Sequence, residues 1–253
     1  ALATLISRIV ELAWAAGSSL QKGFVRPDLT RLFHRNRLLA SDFRKISLPL
    51  LGASLLWGIG FTSYSAIMGH LGQDAAAANS VAAVVRDLTC CMCNGIANAG
   101  SILLGNQLGQ GNLDMAKIYG QRLMKLSFLI GFITTAVVLA VIHPVLLFYR
   151  LTPNARTLCA GMLAITSFYM IGRCVNTVVI NGIFDAGGDT KFDVYSLIVV
   201  MWGIAIPVAL CGAFLFHWPV LLVYACTCLD EVGKIPWVVH HFHEYRWLRN
   251  LTR

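Results

Sequence analysis

The sequence predicts an all-α, polytopic membrane protein, and three observations lead to that fold class. Hydrophobic residues make up 57% of the 253 residues and charged residues only 13%. In soluble domains, about 45–50% of residues are apolar and about 25% are charged. Uncharged stretches recur at the length of a membrane-spanning helix, about 20 residues. Lysine and arginine gather in alternate connections between these stretches, and such flanking residues account for the net charge of +8. Nucleic acid is therefore not an expected partner.

The first 44 residues contain one apolar and one basic stretch. Residues 1–20 are apolar apart from Arg8 and Glu11 and lack the layout of a signal peptide. We predict that 1–20 is the end of a membrane helix whose start lies in a longer protein. Residues 21–44 are rich in lysine and arginine and are predicted to form a basic cytoplasmic linker.

Six membrane helices are predicted in the remaining chain, because its apolar stretches reach the length that a span requires. Arg173 is the only charge within 157–184, the apolar stretch of the fourth helix. The long uncharged stretch 194–229 is divided at Pro219, because proline favours the first turn of a helix. The predicted helices cover 46–69, 75–108, 122–149, 156–184, 192–216 and 219–242, in a bundle over 45–243 followed by a tail over 244–253.

Basic residues are distributed unequally between the two ends of the predicted bundle. One end carries fourteen lysines and arginines, in 21–45, between the second and third helices, at Lys191 and in the tail. The other end carries Arg150 and Arg156. Because cytoplasmic connections are enriched in lysine and arginine, the first end, with the C-terminus, is predicted to be cytoplasmic.

Cysteines and small residues point to packing rather than chemistry. All eight cysteines fall in apolar stretches, which indicates small buried side chains rather than a disulfide framework or a zinc site. Ala97, Ser101, Gly105 and Gly109 recur every four residues, a spacing that lets a second helix approach closely. The sequence contains no G-x-x-x-x-G-K-[ST] phosphate-binding loop, and so it has no ATPase motif of its own.

Intramembrane polar residues are the candidate functional residues, and the first group lies on the second predicted helix. Asp87, Asn94 and Asn98 share one face, and Asn79 lies at its edge. Polar groups in hydrocarbon need partners or water, so this face is expected to line a cavity or to contact a neighbouring helix. The charges of Arg86 and Asp87 are open to two interpretations, a functional one and a structural ion pair or snorkelling side chain.

A second polar group lies on one face of the fourth predicted helix. Tyr169, Arg173 and Asn176 follow each other at helical spacing. Arg173 lies near the middle of the span, where an unpaired charge is costly. From depth and charge sign alone, we predict an ion pair between Asp87 and Arg173.

A third group, Asp230, Glu231 and Lys234, lies about halfway along the last predicted helix. Lys234 can reach either acid across one helical turn. The group is interpreted either as a locally neutralised cluster or as a relay for protons or cations, because buried carboxyl groups can take up protons.

The connection after the fourth helix allows an alternative from another functional class. Asp185, Asp189 and Asp193 have the spacing with which membrane prenyltransferases hold Mg²⁺ and diphosphate. However, Gly187 and Gly188 weaken a helix at this point, and the sequence has no second aspartate-rich motif. An enzyme is therefore kept as an alternative, and the chain is expected not to be one.

Five motifs follow each other along the chain. They are W-G-I-G at 57–60, G-N-Q-L-G-Q-G at 105–111 with Ala116, G-I-F-D-A-G-G-D-T-K at 182–191, Trp202 with Pro207, and W-L-R-N-L-T at 247–252. In order and spacing they resemble the C-terminal half of MATE (multidrug and toxic compound extrusion) transporters. The signature residues of the two longest motifs are Gly105, Gly109, Gly111, Gly187, Gly188 and Asp189. By this resemblance, 1–20 is the end of helix 6 and the six predicted helices are helices 7–12.

The resemblance implies one lobe, the C-lobe, of a two-lobe MATE/MOP-type transporter that alternates access around a central site. It implies export of organic cations in exchange for H⁺ or Na⁺, without another cofactor, across the bacterial inner membrane. The expected partners are these compounds, the lipid bilayer and a missing N-terminal lobe. The expected cavity wall is Trp57, Tyr64, Asn79, Asp87, Asn94, Asn98, Tyr169, Arg173 and Asn176, and the further candidates for coupling are Arg86, Asp230, Glu231 and Lys234.

Two departures from the family pattern limit what the resemblance implies. Asp185 stands where the family often has arginine. Members of the NorM-type branch bind their coupling cation with acidic residues in helices 7 and 10, where this chain has Trp57 and Arg173. That cation site is therefore not expected here. Two other interpretations stay open: a lipid-linked oligosaccharide flippase of the same superfamily, which would need a more cationic cavity, and a half-transporter that is inactive alone.

Overall fold

The structure is a computed structural model that describes residues 2–19 and 37–249. Residues 1–45 and 46–253 form two separate compact units. In the first, helix α1 covers Leu2–Ser19, and the Arg8 guanidinium donates to the Glu11 carboxylate at 2.6 Å. Residues 20–36 of the predicted basic linker and 250–253 of the predicted tail lie outside the described residues.

Long helices account for most of the second unit, and the first of them begins within residues 37–45 of the first unit. Helix α2 covers Arg37–His70, α3 covers Gln73–Gly109 and α4 covers Leu113–Phe148. Helix α5 covers Pro153–Asn176 and continues as a π-helix over Thr177–Phe184. Thr152 caps α5, because its hydroxyl accepts from the Ala155 amide at 3.1 Å.

The remaining spans contain irregular helical turns. Helix α6 (Thr190–Ser196) passes through a π-helix (Leu197–Ala205), helix α7 (Ile206–Leu210) and another π-helix (Cys211–Leu215). The final span consists of α8 (Val220–Thr227), α9 (Leu229–Val232) and α10 (Ile235–His243).

The break in the final span differs from the continuous helix predicted over 219–242 and has a local cause. Pro236 has no amide hydrogen, so it cannot donate to the Val232 carbonyl as an α-helix requires. Gly233 adds backbone freedom at the same place. Helix α9, which carries Asp230 and Glu231, is consequently one turn between two irregular joints.

Among residues 2–19 and 37–249, five helical stretches are long and apolar enough to cross a membrane: Phe43–His70, Gln73–Gly109, Leu113–Phe148, Pro153–Phe184 and Thr190–Leu215. The described residues contain no β-strand. The prediction of an all-α, polytopic membrane bundle is therefore confirmed, although α4 begins well before the predicted residue 122.

Side-chain contacts identify the two ends of the bundle. At one end, here called the far end, the Asp74 carboxylate accepts from Thr152 and Asn154, both at 2.8 Å. At the other, here called the tail end, Gln121 Nε2 donates to the Tyr245 hydroxyl at 3.2 Å.

Glycines allow close helix contacts in the core. A Cβ atom on Gly182 would lie 3.1 Å from the Ala97 carbonyl oxygen, and one on Gly131 would lie 3.1 Å from the Ile171 Cα. The predicted close approach along α3 therefore occurs at Ala97. By contrast, Gly105 is exposed, with nothing within 4 Å of a Cβ atom placed there.

A disulfide between Cys93 and Cys174 links α3 to α5, with 5.3 Å between the two Cα atoms. The expectation that the cysteines serve only as small buried residues is wrong for this pair. Sequence patterning could not show it, because the two residues meet only when α3 and α5 pack side by side.

The tail folds back against the tail end of the bundle. Trp247 is fully buried, its ring stacks on Phe242 at 5.6 Å, and its indole N–H donates to the Phe242 carbonyl at 3.2 Å. A Cβ atom on Gly120 would meet the indole ring, and one on Gly187 would overlap the Trp247 carbonyl oxygen. The signature glycine Gly187 is thus a packing residue under the tail.

Candidate functional site

A buried ion pair joins α5 to α9 in the middle of the bundle. The Arg173 guanidinium donates to Glu231 Oε1 at 2.6 Å. Asn176, one turn further along α5, donates from Nδ2 to Glu231 Oε2 at 2.6 Å and to the Glu231 carbonyl at 2.8 Å. The Glu231 side chain is only 3% exposed, so these charge-assisted bonds replace the water that the carboxylate has lost.

Gly172 explains why α9 comes so close to α5. A Cβ atom at this position would lie 3.0 Å from the Glu231 carbonyl oxygen. Any larger residue would therefore push the two backbones apart. The neighbouring Arg173 and Asn176 reach Glu231 because this contact is possible.

Aromatic rings of α2 lie against both deep arginines. The Arg173 guanidinium lies 5.3 Å from the Trp57 ring centroid, and the Arg86 guanidinium lies 4.7 Å from that of Phe61. The two rings contact each other, with centroids 4.4 Å apart. Cation–π contacts of this kind are worth about 0.5–2 kcal/mol each, and they tie α2 to α3 and α5.

The predicted ion pair between Asp87 and Arg173 is wrong. Asp87 Oδ1 instead accepts from the neighbouring Arg86 Nε at 3.1 Å, and the Asp87 side chain is 70% exposed. The physical reason is the direction of the side chains, because Asp87 lies on the exposed face of α3 and Arg173 is held by Glu231.

A large cavity of about 760 Å³ opens on the tail-end side of the ion pair. Its charged wall residues are Asp185, Asp193, Glu231, Arg173 and Lys234. Its other lining includes Trp57, Asn98, Ser101, Asn176, Thr177 and Asn181. The volume lies in the range of about 300–1,000 Å³ that holds small organic ligands.

A second, small cavity of about 40 Å³ lies on the far-end side. Its lining residues are Phe61, Tyr64, Ser65, Met68, Asn79, Ala83, Arg86, Tyr169, Tyr224, Thr227, Cys228 and Asp230. The volume is enough for a few water molecules and too small for an organic ligand.

The three residues predicted as one charged cluster in the last helix separate between the two cavities. Asp230 lines the small cavity, whereas Glu231 and Lys234 line the large one. All three are almost fully buried. Lys234 faces the large cavity together with Asp193, so the cavity wall contains charges of both signs.

The polar residues predicted on the second and fourth helices also divide between several environments. Asn98 and Asn176 line the large cavity, and Asn79 and Tyr169 line the small one. Asn94 lies on the exposed face of α3. The structure therefore does not bring all the predicted residues into one cavity.

Asp185 and Asp193, near the tail end, line the large cavity, whereas the sequence had pointed to them only for the Mg²⁺-binding alternative. Asp185 follows the π-helical end of α5, and Asp193 lies in α6. Burial, helped by the nearby Asp193 and Asp189, raises the pKa of Asp185 from 3.8 to about 7. The position of Asp185 within a family motif was visible in the sequence, but its orientation into a cavity was not.

Asp189 has a structural partner. Its carboxylate lies 2.7 Å from His241 Nε2, and the other ring nitrogen of His241 lies 3.2 Å from Glu244. Within residues 2–19 and 37–249, no group of three or more histidine, cysteine or acidic side chains could hold a metal ion. The three aspartates therefore have different surroundings: Asp189 contacts His241, whereas Asp185 and Asp193 line the large cavity.

Two signature glycines occupy backbone conformations that other residues rarely adopt. Gly111, between α3 and α4, has a φ of 77°, and Gly188, between the π-helix and α6, has a φ of 72°. A side chain at either position would strain these tight connections at the tail end.

A profile of the MatE family matches residues 49–211. The uncharacterized transporter YisQ of Bacillus subtilis is 25% identical over 217 residues, which cover 83% of this chain and 46% of YisQ. The multidrug resistance protein MdtK of Yersinia pseudotuberculosis is 22% identical over 188 residues, 74% of this chain and 39% of MdtK. The chain thus spans less than half the length of these relatives.

Solved structures show the same fold. The crystal structure of a MATE protein in complex with MaL6 superposes with a TM-score of 0.78 at 16% identity. The superposition covers 96% of this chain and 56% of that one. The arrangement of the helices described above is therefore shared with about half of a known transporter.

Proposed function

The chain belongs to the MATE family of membrane transporters, and on that premise we propose that it forms the C-terminal lobe of an exporter of organic cations. Members of this family are transporters rather than enzymes, so the prenyltransferase alternative is set aside. Export would be driven by exchange for H⁺ or Na⁺. The lobe would work with an N-terminal lobe across a central cavity.

The observation that carries the proposal is the large cavity. Its volume of about 760 Å³ suits a drug-sized compound, and the ring of Trp57 is part of its wall. Flat cationic compounds stack favourably on such rings. The similarity to a multidrug resistance protein supports the same substrate class.

The charges of the cavity wall favour a cation over a diphosphate. Arg173 is already neutralised by Glu231 at 2.6 Å. The remaining charges are Lys234 and the two carboxyl groups of Asp185 and Asp193. A lipid-linked oligosaccharide flippase needs an excess of positive charge to hold a diphosphate, and this wall has none.

The proposed orientation places the tail end in the cytoplasm of a bacterial cell. Within the described residues 46–249, the basic residues outside or near the ends of the spans are Lys117, Arg122, Lys125, Lys191, Arg246 and Arg249 at the tail end and Arg150 and Arg156 at the far end. This asymmetry supports a plasma-membrane protein with the tail and the mouth of the large cavity on the cytoplasmic side.

Uptake into inverted membrane vesicles tests the proposal. Vesicles containing the full-length transporter are given an H⁺ or a Na⁺ gradient, no ATP, and a panel of fluorescent organic cations. Accumulation that stops when one gradient is collapsed is expected and identifies the ion. If neither gradient drives uptake of any cation in the panel, the proposal is wrong, and transport of labelled lipid-linked sugars should be measured instead.

A pair of aromatic variants links that uptake to the large cavity. Replacing Trp57 by alanine should raise the substrate concentration for half-maximal uptake by about 3- to 30-fold, the loss expected for one cation–π contact. Replacing Phe148, an exposed aromatic residue at the far end, should leave it unchanged. Equal effects of the two variants would contradict the assignment of the substrate to this cavity.

A further inference from the structure

We propose that Asp230 is the residue that binds and releases the coupling proton, inside the small cavity and separate from the substrate cavity. This inference rests on the proposed function, because a coupling proton has a role only in a proton-driven exporter. It also selects H⁺ rather than Na⁺ as the exchanged ion.

The first support is the environment of the Asp230 side chain. The residue is 1% exposed, and neither carboxylate oxygen makes a well-formed hydrogen bond within the described residues. The groups close enough to interact with the carboxyl group are the Tyr64 hydroxyl, which lines the same cavity, and the Glu231 amide. Asp230 thus shares one small cavity with a hydroxyl group and lacks a charged donor of its own.

The neighbouring carboxyl group provides the contrast. Glu231 receives hydrogen bonds from Arg173 and Asn176, both at 2.6 Å, so its negative charge is compensated by the protein. A buried carboxylate without such partners costs several kcal/mol. That cost disappears when the group holds a proton, and Asp230 is the carboxyl group of this pair for which a proton can supply the compensation.

The groups around Asp230 allow its carboxyl group to be either protonated or ionised. Arg86 is the one cation in the lining of the small cavity. Its other contacts are Asp87 at 3.1 Å and the Phe61 ring at 4.7 Å. Arg86 is thus paired with Asp87, and the cations that act on the Asp230 carboxylate after the proton has left are Lys234 and Arg173.

The other titratable groups around Asp230 are side chains of the cavity lining and the charged residues beside it. Tyr64, Tyr169 and Tyr224 line the cavity from α2, α5 and α8, and Cys228 lines it from the joint between α8 and α9. Arg173, Glu231 and Lys234 act on Asp230 from outside it. The π-helix Leu197–Ala205, which packs against α9, carries no titratable side chain.

The size and charge of the cavity select the ion. At about 40 Å³, it holds a few water molecules and excludes an organic cation. A sodium ion would lie beside the positive charge of Arg86 and be repelled by it. A proton instead joins a carboxylate oxygen of Asp230 and yields a neutral group, leaving Arg86 with its Asp87 partner.

The position of Asp230 also connects the proton to the substrate cavity. Asp230 and Glu231 are consecutive residues of the single turn α9, which is bounded by irregular joints. Because one rigid turn carries both side chains, a change of charge at Asp230 acts directly on the Arg173–Glu231 pair that faces the large cavity.

The test uses the full-length transporter in proteoliposomes and compares two activities. One is uptake of an organic cation such as ethidium driven by a pH gradient, and the other is exchange of labelled for unlabelled ethidium without a gradient. Asp230→Asn should abolish gradient-driven uptake and retain exchange. Asp114→Asn, which removes an exposed acidic group at the start of α4, is the matched control and should retain both activities.

A second measurement does not depend on transport. Infrared difference spectra of the full-length transporter in lipid, recorded between acidic and alkaline pH, should contain the C=O stretch of protonated carboxyl groups, among them Asp185. One component of this band should disappear in Asp230→Asn and persist in both Glu231→Gln and Asp185→Asn. If Asp230→Asn loses both uptake and exchange, the infrared measurement still shows whether Asp230 binds a proton, because it reports protonation directly.

The possible outcomes separate the inference from the proposed function. Unchanged proton-driven uptake in Asp230→Asn, an unchanged infrared band, or uptake by the wild type that responds only to a Na⁺ gradient would each overturn the role of Asp230 while leaving export intact. Absence of gradient-driven uptake in the wild type would instead refute the proposed function.

Discussion

Replacing Arg173 by methionine removes the guanidinium that compensates the buried Glu231 carboxylate. Removing one partner of a buried ion pair usually costs about 3–5 kcal/mol. Lys234, which lines the same cavity, supplies part of the lost compensation, so we expect the lower end of that range, about 3 kcal/mol. For a chain of this size, about 2–4 °C per kcal/mol converts this loss to a decrease in Tm of about 6–12 °C.

The double variant makes the prediction specific to the pair. Glu231→Gln alone leaves Arg173 without its carboxylate and should also lower the Tm. The combination of Arg173→Met and Glu231→Gln removes both charges and should recover part of the loss. We expect a coupling energy of about 1–3 kcal/mol, as for contacting residues in one polar network.

Thermal unfolding in lipid nanodiscs, followed by helical circular dichroism, is the appropriate assay. Arg156→Met is the control, because Arg156 is an exposed arginine of the same helix and its loss should change stability by less than about 0.5 kcal/mol. Single variants with wild-type Tm values, or effects of the two substitutions that simply add, would refute the conclusion that Arg173 and Glu231 compensate each other.

Three further predictions concern the tail end and the helix contacts. Because the pKa of Asp185 in the folded protein, about 7, exceeds its ordinary value of 3.8, the folded state binds more protons between these values, and stability should fall as pH rises through that window. Asp185→Asn should flatten this fall, measured as Tm against pH, and an equally steep profile would contradict the burial argument. Gly182→Ala should cost about 1–3 kcal/mol by forcing α3 away from the π-helix, whereas the matched control Gly105→Ala, on an open surface, should be neutral or slightly stabilising by Tm. Gly187→Ala should displace the tail, seen as faster proteolysis at its end and altered Trp247 fluorescence, and unchanged proteolysis would refute the packing role of this glycine.

The spans and the candidate polar faces were predictable because they depend on local sequence patterns. Arg173 and Asn176 share a face at helical spacing, and both line the large cavity. The partner of Arg173 was not predictable in the same way. Asp87 and Glu231 have the same charge and similar depth, and only the close approach permitted by Gly172 brings Glu231 to the guanidinium.

Irregular backbone was the other feature that periodicity could not reveal. A π-helix uses the same apolar residues as an α-helix, so Thr177–Phe184 and Leu197–Ala205 appear as ordinary spans in the sequence. Gly233 and Pro236 did mark a possible break. Treating the last helix as continuous placed Asp230, Glu231 and Lys234 in one cluster, whereas the structure distributes them between two cavities.

The separation of Asp230 from Glu231 follows from helical geometry once the short turn α9 is known. Consecutive residues of an α-helix point about 100° apart, so two adjacent carboxyl groups on a buried turn can face different spaces. One of them meets Arg173 and Asn176 from α5, and the other meets the hydroxyl-lined cavity beside Arg86. A pair of adjacent acids on a turn between two cavities can therefore supply a fixed ion pair to one side and a removable proton to the other. If Asp230 and Glu231 were interchanged, the shorter side chain would face Arg173 and the longer one the small cavity. We expect such a variant to lose both the ion pair and gradient-driven uptake, although its composition and net charge are unchanged.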